Sequence, residues 1–311
     1  MKNKCVSIGG QALIEGVMMR GPRKTALAVR DPKGEIVTED FPEKHIKDRY
    51  KWLGLPVIRG VVNFIESMIA GYKALMRSMD LSGMTEIEEE GKESEKLSGP
   101  LMAVVSVLSV ILGVGLAVLL FLWLPSFLFD LLRRLVGADL TPVKTLFEGI
   151  VKIVLFVAYV SLIALMKDIK RLFQYHGAEH KTIFCYENGL DLTVENVRKM
   201  RRFHPRCGTS FLLIMVILSI LLNAVLIAIF PALADIRWLW VLIKLLMIPV
   251  VCAFGYELLK ICGKYDNLFT KVVSAPGLWL QRITTKEPED DMIEVAIASV
   301  KAVLPEQENA E

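Results

Sequence analysis

The fold turns on residues 151–189, VKIVLFVAYVSLIALMKDIKRLFQYHGAEHKTIFCYENG. The first sixteen residues are apolar except for Lys152 and Ser161, and the charge then rises sharply. A run of about 20 apolar residues crosses a bilayer as a helix. Ile169, Leu172, Phe173, His176, His180, Ile183 and Phe184 follow at three- and four-residue steps. That spacing predicts one helical face carried on from the span and ending at Asn188-Gly189, a C-cap pair.

Three further runs, 101–124, 211–234 and 238–259, match the one that starts near Pro142 and reaches 166. Of the 311 residues 53% are hydrophobic, which excludes an ordinary soluble domain. The expected fold is a mainly α membrane protein with four transmembrane helices, a small N-terminal α+β cytoplasmic region and a C-terminal cytoplasmic helix. Five cysteines at scattered positions argue against a disulfide framework. The net charge of +3 and the lack of a basic tract give no nucleic-acid footprint. Nothing at the N-terminus reads as a cleaved targeting segment. The lipid bilayer is the one partner the sequence implies.

Charge sets the expected orientation. Nine Lys and Arg lie between 167 and 206, against two after the first span and Arg237 after the third. By the positive-inside rule both termini and the 167–210 loop face the cytoplasm. The chain then divides into a hairpin plus amphipathic helix (1–80), a charged linker (81–100), the membrane domain (101–260) and a tail (261–311). TALAVR and EIVTED around DPKG predict the hairpin. Pro288 followed by Glu289, Asp290 and Asp291 predicts the start of a soluble tail helix.

His176 and His180 lie one turn apart, with Glu179 beside them, in the pattern His-x-x-Glu-His. Two imidazoles at this spacing suit Zn²⁺, and the inverted zinc peptidases carry the same string, its glutamate activating a water. HPRCG at 204–208 has the spacing of a zinc knuckle with His204 in the first Cys position and Cys207 in the second. His176, His180, His204 and Cys207 are therefore the candidate ligands, and Glu179 is the candidate base. Four ligands would close a tetrahedral site and three would leave it open. A polar helix end, a structural metal and a catalytic metal all fit these residues. Glu257, near the same end of the fourth span, is a candidate partner to a ligand. Glu148, Lys152 and Lys244 read as snorkelling or span-to-span pairing rather than a transport path. The Gly-rich start reads first as turns of a small sheet, and second as an anion contact.

GGQALIEGVMMRGP, HGAEHKTI, HPRCGTSF, GYELLK and APGLWLQRITTKEP together resemble the YqhQ-like family of bacterial multi-pass membrane proteins. The resemblance implies a location in the bacterial cell membrane and a metal-dependent enzyme carried by His176, Glu179, His180, His204 and Cys207. The expected activity is hydrolysis, with zinc, of a peptide, phosphorylated or lipid-like substrate at the inner face. The alternative is a non-enzymatic scaffold or regulator stapled by a structural metal.

Overall fold

The computed structural model describes residues 8–42, 46, 50–56, 58–84, 99–137, 140–234, 236–265 and 267–304. Most of the charged linker lies outside them.

The chain opens with a four-stranded antiparallel meander, β1 (Gly9–Leu13), β2 (Gly16–Arg20), β3 (Thr25–Arg30) and β4 (Ile36–Asp40), in that order. The expected hairpin is β3–β4. Asp31 starts its turn by accepting from the backbone N–H of Lys33 at 2.9 Å and of Glu35 at 2.8 Å, and Gly34 takes φ 86°. β1 and β2 come from the Gly-rich segment. Their strands barely alternate because the sheet is covered on both faces. Val17, Met19, Ala26 and Ala28 face one layer, while Leu13, Met18, Leu27 and Val29 face the other.

The second layer is α1 (Ile58–Leu81), which covers the sheet with Ala74 and Leu75. The same helix reaches the bundle at its start, where Gly60 lies against Ala253. Helix α1 is the expected amphipathic helix, packed on the spans and on the sheet.

Among the described residues three helices are long and apolar enough to cross a membrane, or four if one bent pair is a single span. The first runs through α2 (Gly99–Val118), a π-helical turn (Leu119–Trp123) and α3 (Leu124–Val136). The others are α4 (Lys144–Ile163) and α7 (Gly208–Ile229). The pair is α8 (Arg237–Leu246) and α9 (Ile248–Lys264), bent by 41°. The bend follows from Pro249 at the start of α9, which lacks an N–H and crowds the preceding turn.

The structure corrects the reading of 151–189 as one continuous helix. Helix α4 ends at Ile163, and Met166 is extended with ψ 137° before α5 (Lys167–Glu187) begins. The break falls where the apolar run meets Lys167 and Asp168. Beyond it α5 packs on the sheet. A short α6 (Val194–Arg198) follows. The C-terminal part holds α10 (Leu268–Thr284), which packs on α7, and α11 (Asp290–Val303).

Helix α11 begins after Pro288 with Asp290 and Asp291 in its first turn, as expected. Its place differs from that of a peripheral tail helix. Met292, Ile293, Val295, Ala296, Val300 and Val303 are buried between the sheet and α5. Ser299 Oγ also donates to the Val17 carbonyl at 3.0 Å. The sheet, α5 and α11 thus share one core.

Candidate metal centre

Helix α5 presents ten buried residues in its middle and last turns, among them His176, Glu179 and His180. Such burial of polar groups requires partners. The partners come from two segments that cross α5.

One is the strap between α10 and α11. The carbonyl of Thr284 lies 2.8 Å from His176 Nδ1. The strap lies so close that a Cβ on Gly177 would meet the Lys286 carbonyl oxygen at 2.0 Å. The other is the loop leading into α7, where the Arg202 carbonyl lies 2.5 Å from His180 Nδ1. A carbonyl only accepts, so both histidines carry their proton on Nδ1 and present a lone pair at Nε2. The same device orients metal-bound histidines in general.

Both free edges point at Cys207. His176 Nε2 lies 3.2 Å from Cys207 Sγ, and the two imidazole centroids are 4.4 Å apart. One donor atom from each of His176, His180 and Cys207 falls within 4.8 Å of the others, and all three residues are buried. Cys207 is the N-cap of α7 and accepts from the Thr209 N–H at 3.4 Å. Two imidazoles and a cysteine sulfur in this arrangement fit a borderline-soft divalent ion of the zinc class.

His204 is nearby but outside this trio. Its Nδ1 accepts from the Arg206 N–H at 3.2 Å, which leaves the proton on Nε2, 3.4 Å from Glu187. Burial lowers its pKa to about 4, with Glu179 opposing and Arg201 assisting, so the ring is neutral at pH 7. Burial likewise lowers His180, and neighbouring His176 adds to the effect. Glu179 is raised by burial, against the pull of His176, His204 and the Gly10 N–H. A Cβ on Gly10 would sit 3.0 Å from Glu179 Oε1, so the first strand closes over this carboxyl. Glu257 forms a two-pronged pair with Arg59 at 2.7 and 2.6 Å, joining α9 to α1.

Sequence reasoning passed over Gln281, Thr284, Gly177 and Glu287. Gln281 holds the His204 backbone from both sides, accepting from its N–H at 2.8 Å and donating to its carbonyl at 2.7 Å. Glu287 pairs with Lys181 on α5 and, at 3.1 Å, with Arg202. Gln281, Thr284 and Gly177 act through backbone contacts and Glu287 through ion pairs with distant residues, and no residue type announces such roles.

With this geometry established, the comparisons place the chain. Residues 55–306 match the family model described as a protein of unknown function (DUF1385). The chain belongs to that family. It is 37% identical over 303 residues to the uncharacterized protein YqhQ of Bacillus subtilis (strain 168), covering 95% of this chain and 92% of the relative. No solved structure matches it.

Proposed function

We propose that this member of the DUF1385 family is a multi-pass membrane protein with a metal-dependent hydrolytic centre at the cytoplasmic face. The observation that carries the reading is the convergence of His176 Nε2, His180 and Cys207, each oriented by a backbone partner. An ion held by these three donors would keep a position open for chemistry.

A divalent zinc-class ion held there supplies Lewis acidity toward a carbonyl or phosphoryl group. The chain's own residues supply the rest. Glu179 precedes His180 and is shielded from solvent, and burial raises its pKa above the usual carboxylate value, which makes it a stronger base. It takes the proton of the attacking water and returns it to the leaving group. His204 stays neutral and holds the loop through Arg206 and Glu187. The Lys and Arg of 167–206 keep this face in the cytoplasm, next to substrates of the inner leaflet or to peptide or phosphorylated solutes.

The test is metal per chain in detergent-purified protein, wild type against His180→Ala, followed by Glu179→Gln. About one zinc per chain, lost in folded His180→Ala, supports the centre. Glu179→Gln then separates the roles: a catalytic centre gives a folded, metal-loaded, inactive protein, and a structural staple leaves function unchanged. Absence of metal from the wild type under reducing, chelator-free conditions refutes the reading.

A further inference from the structure

Helix α10 is turned inside out for a helix in water. Its buried residues are Thr270, Ser274, Gly277, Leu280, Gln281 and Thr284. At about 100° per residue these share one side of the helix. All but Leu280 are polar or lack a side chain. The opposite side carries Leu268, Val272 and Trp279, which are 79%, 63% and 72% exposed, with exposed Phe269 at its edge. A helix that faces water does the reverse, burying its apolar stripe.

Two of the candidate spans place their polar residues in the same way. Helix α4 buries Lys144 and Glu148 and exposes Leu146, Ile150 and Val154. Helix α7 buries Asn223 and exposes Leu212, Leu221 and Val225. The Glu148 carboxylate pairs with buried Lys244 of α8 at 2.5 Å. In hydrocarbon an apolar side chain loses nothing by facing outward, and small or polar residues gather at helix contacts.

Helix α10 packs on these same two helices. Leu280 shares a cluster with Val160 of α4 and Leu213 of α7, and Ile283 lines it together with Phe156 and Ile217. Two of its buried hydroxyls are satisfied by the chain itself. Thr270 Oγ1 donates to the Asn267 carbonyl at 2.9 Å, and Thr284 Oγ1 to the Leu280 carbonyl at 3.4 Å. Neither needs water, which the interior of a bilayer does not supply. The helix has 17 residues. That is about 25 Å of length, short of the roughly 30 Å hydrocarbon core. Lys271 and Arg282, both exposed, border the apolar face on one side. Cations at such a border suit anionic lipid headgroups.

We propose that α10 is inserted in the lipid without crossing it, with Leu268, Val272 and Trp279 among the acyl chains and Lys271 and Arg282 at the headgroups. The proposal rests on the membrane reading of α4 and α7. It gives the segment after 261 a return to the lipid before α11 joins the sheet. It also sets the depth of the candidate metal centre. The last turn of α10 holds His176 through the Thr284 carbonyl, and Cys207 starts α7, so the centre lies at the bilayer surface.

The experiment is photolabelling of the full chain in vesicles of phosphatidylcholine and phosphatidylglycerol. A fraction of the phosphatidylcholine carries a diazirine on its acyl chain, and adducts are mapped by mass spectrometry. Leu268, Val272 and Trp279 should be labelled as heavily as Leu221 and Val225, the lipid-facing residues of α7. Leu190, an exposed leucine just after α5, should stay at background. Labelled α7 with α10 no higher than Leu190 overturns the proposal and leaves the membrane reading standing; water or a protein then covers that face. Background labelling of α7 as well overturns the membrane reading, and the proposal with it.

Discussion

Gly177→Ala is the sharpest test of how the metal centre is held. In an exposed helix interior this change stabilises by about 1 kcal/mol, because alanine loses less backbone entropy. Here the sign should invert. The new Cβ would lie 2.0 Å from the Lys286 carbonyl oxygen, with the Lys286 carbonyl carbon at 3.2 Å and Pro288 Cδ at 3.4 Å. A tolerable carbon–oxygen contact is about 3.3 Å, so the strap must retreat by roughly 1.3 Å. The strap is tethered: the Lys286 N–H donates to the Phe173 carbonyl at 2.8 Å and Thr285 Oγ1 to the Gln281 carbonyl at 2.6 Å. Overpacking against backbone costs about 1–3 kcal/mol, and a lost hydrogen bond about 1 more. After the propensity gain, the net destabilisation should be about 2 kcal/mol.

The assay is thermal unfolding in detergent, with metal content measured in parallel. Thr284 lies two residues before Lys286 and holds His176 Nδ1, so a displaced strap should also reduce metal occupancy. Gly208→Ala is the control. It sits in the first turn of α7, where a Cβ meets nothing within 4 Å, and should be neutral or slightly stabilising. If Gly177→Ala unfolds at or above the wild-type temperature with full metal, the strap does not position the centre.

Cys207→Ser should lower zinc per chain well below that of the wild type, while His204→Asn should retain most of it, both read by plasma mass spectrometry. Lys244→Met strands the Glu148 carboxylate in an apolar setting and should cost about 3–5 kcal/mol in unfolding experiments; a double variant that also carries Glu148→Met should recover much of the loss. In chelator-treated protein, His204 contributes a pH dependence of definite sign. Its folded pKa of about 4 lies below its ordinary value of 6.5, so the unfolded chain binds the extra proton between those limits. Stability should therefore fall as pH drops from about 6.5 to 4, by up to about 3 kcal/mol from this group. His204→Asn should flatten that slope in unfolding midpoints measured across the window, and an unchanged slope would refute the assignment.

The legible parts of the sequence are those where one local pattern decides. DPKG dictates a hairpin because aspartate caps the turn and glycine takes the positive φ. The apolar runs mark the long helices, and Pro249 marks the bend. The strands β1 and β2 were harder to read because both their faces are buried, which erases alternation. The break at 164–166 has no proline or glycine to announce it. It arises because α5 finds its apolar partners in the sheet and α11 rather than in the bundle. The trio of donors was legible from His-x-x-Glu-His and HPRCG. The separation of His204 from that trio was not, since it depends on a backbone N–H two residues further on.

The centre is a junction of distant segments. Its imidazoles stand on α5, its cysteine sulfur caps α7, and the carbonyls that orient the imidazoles come from the 202 loop and the end of α10. The Gly10 N–H from the first strand reaches Glu179, and Glu287 in the strap grips both Lys181 and Arg202. No single segment forms the site before the sheet, the strap and the bundle have docked. Binding energy from an ion there would therefore act on the docking itself, because ligands scattered in the unfolded chain gain nothing from one another. The same coupling explains the burial of α11: a C-terminal helix locked under the sheet fixes the strap, and the strap fixes the histidine that faces Cys207.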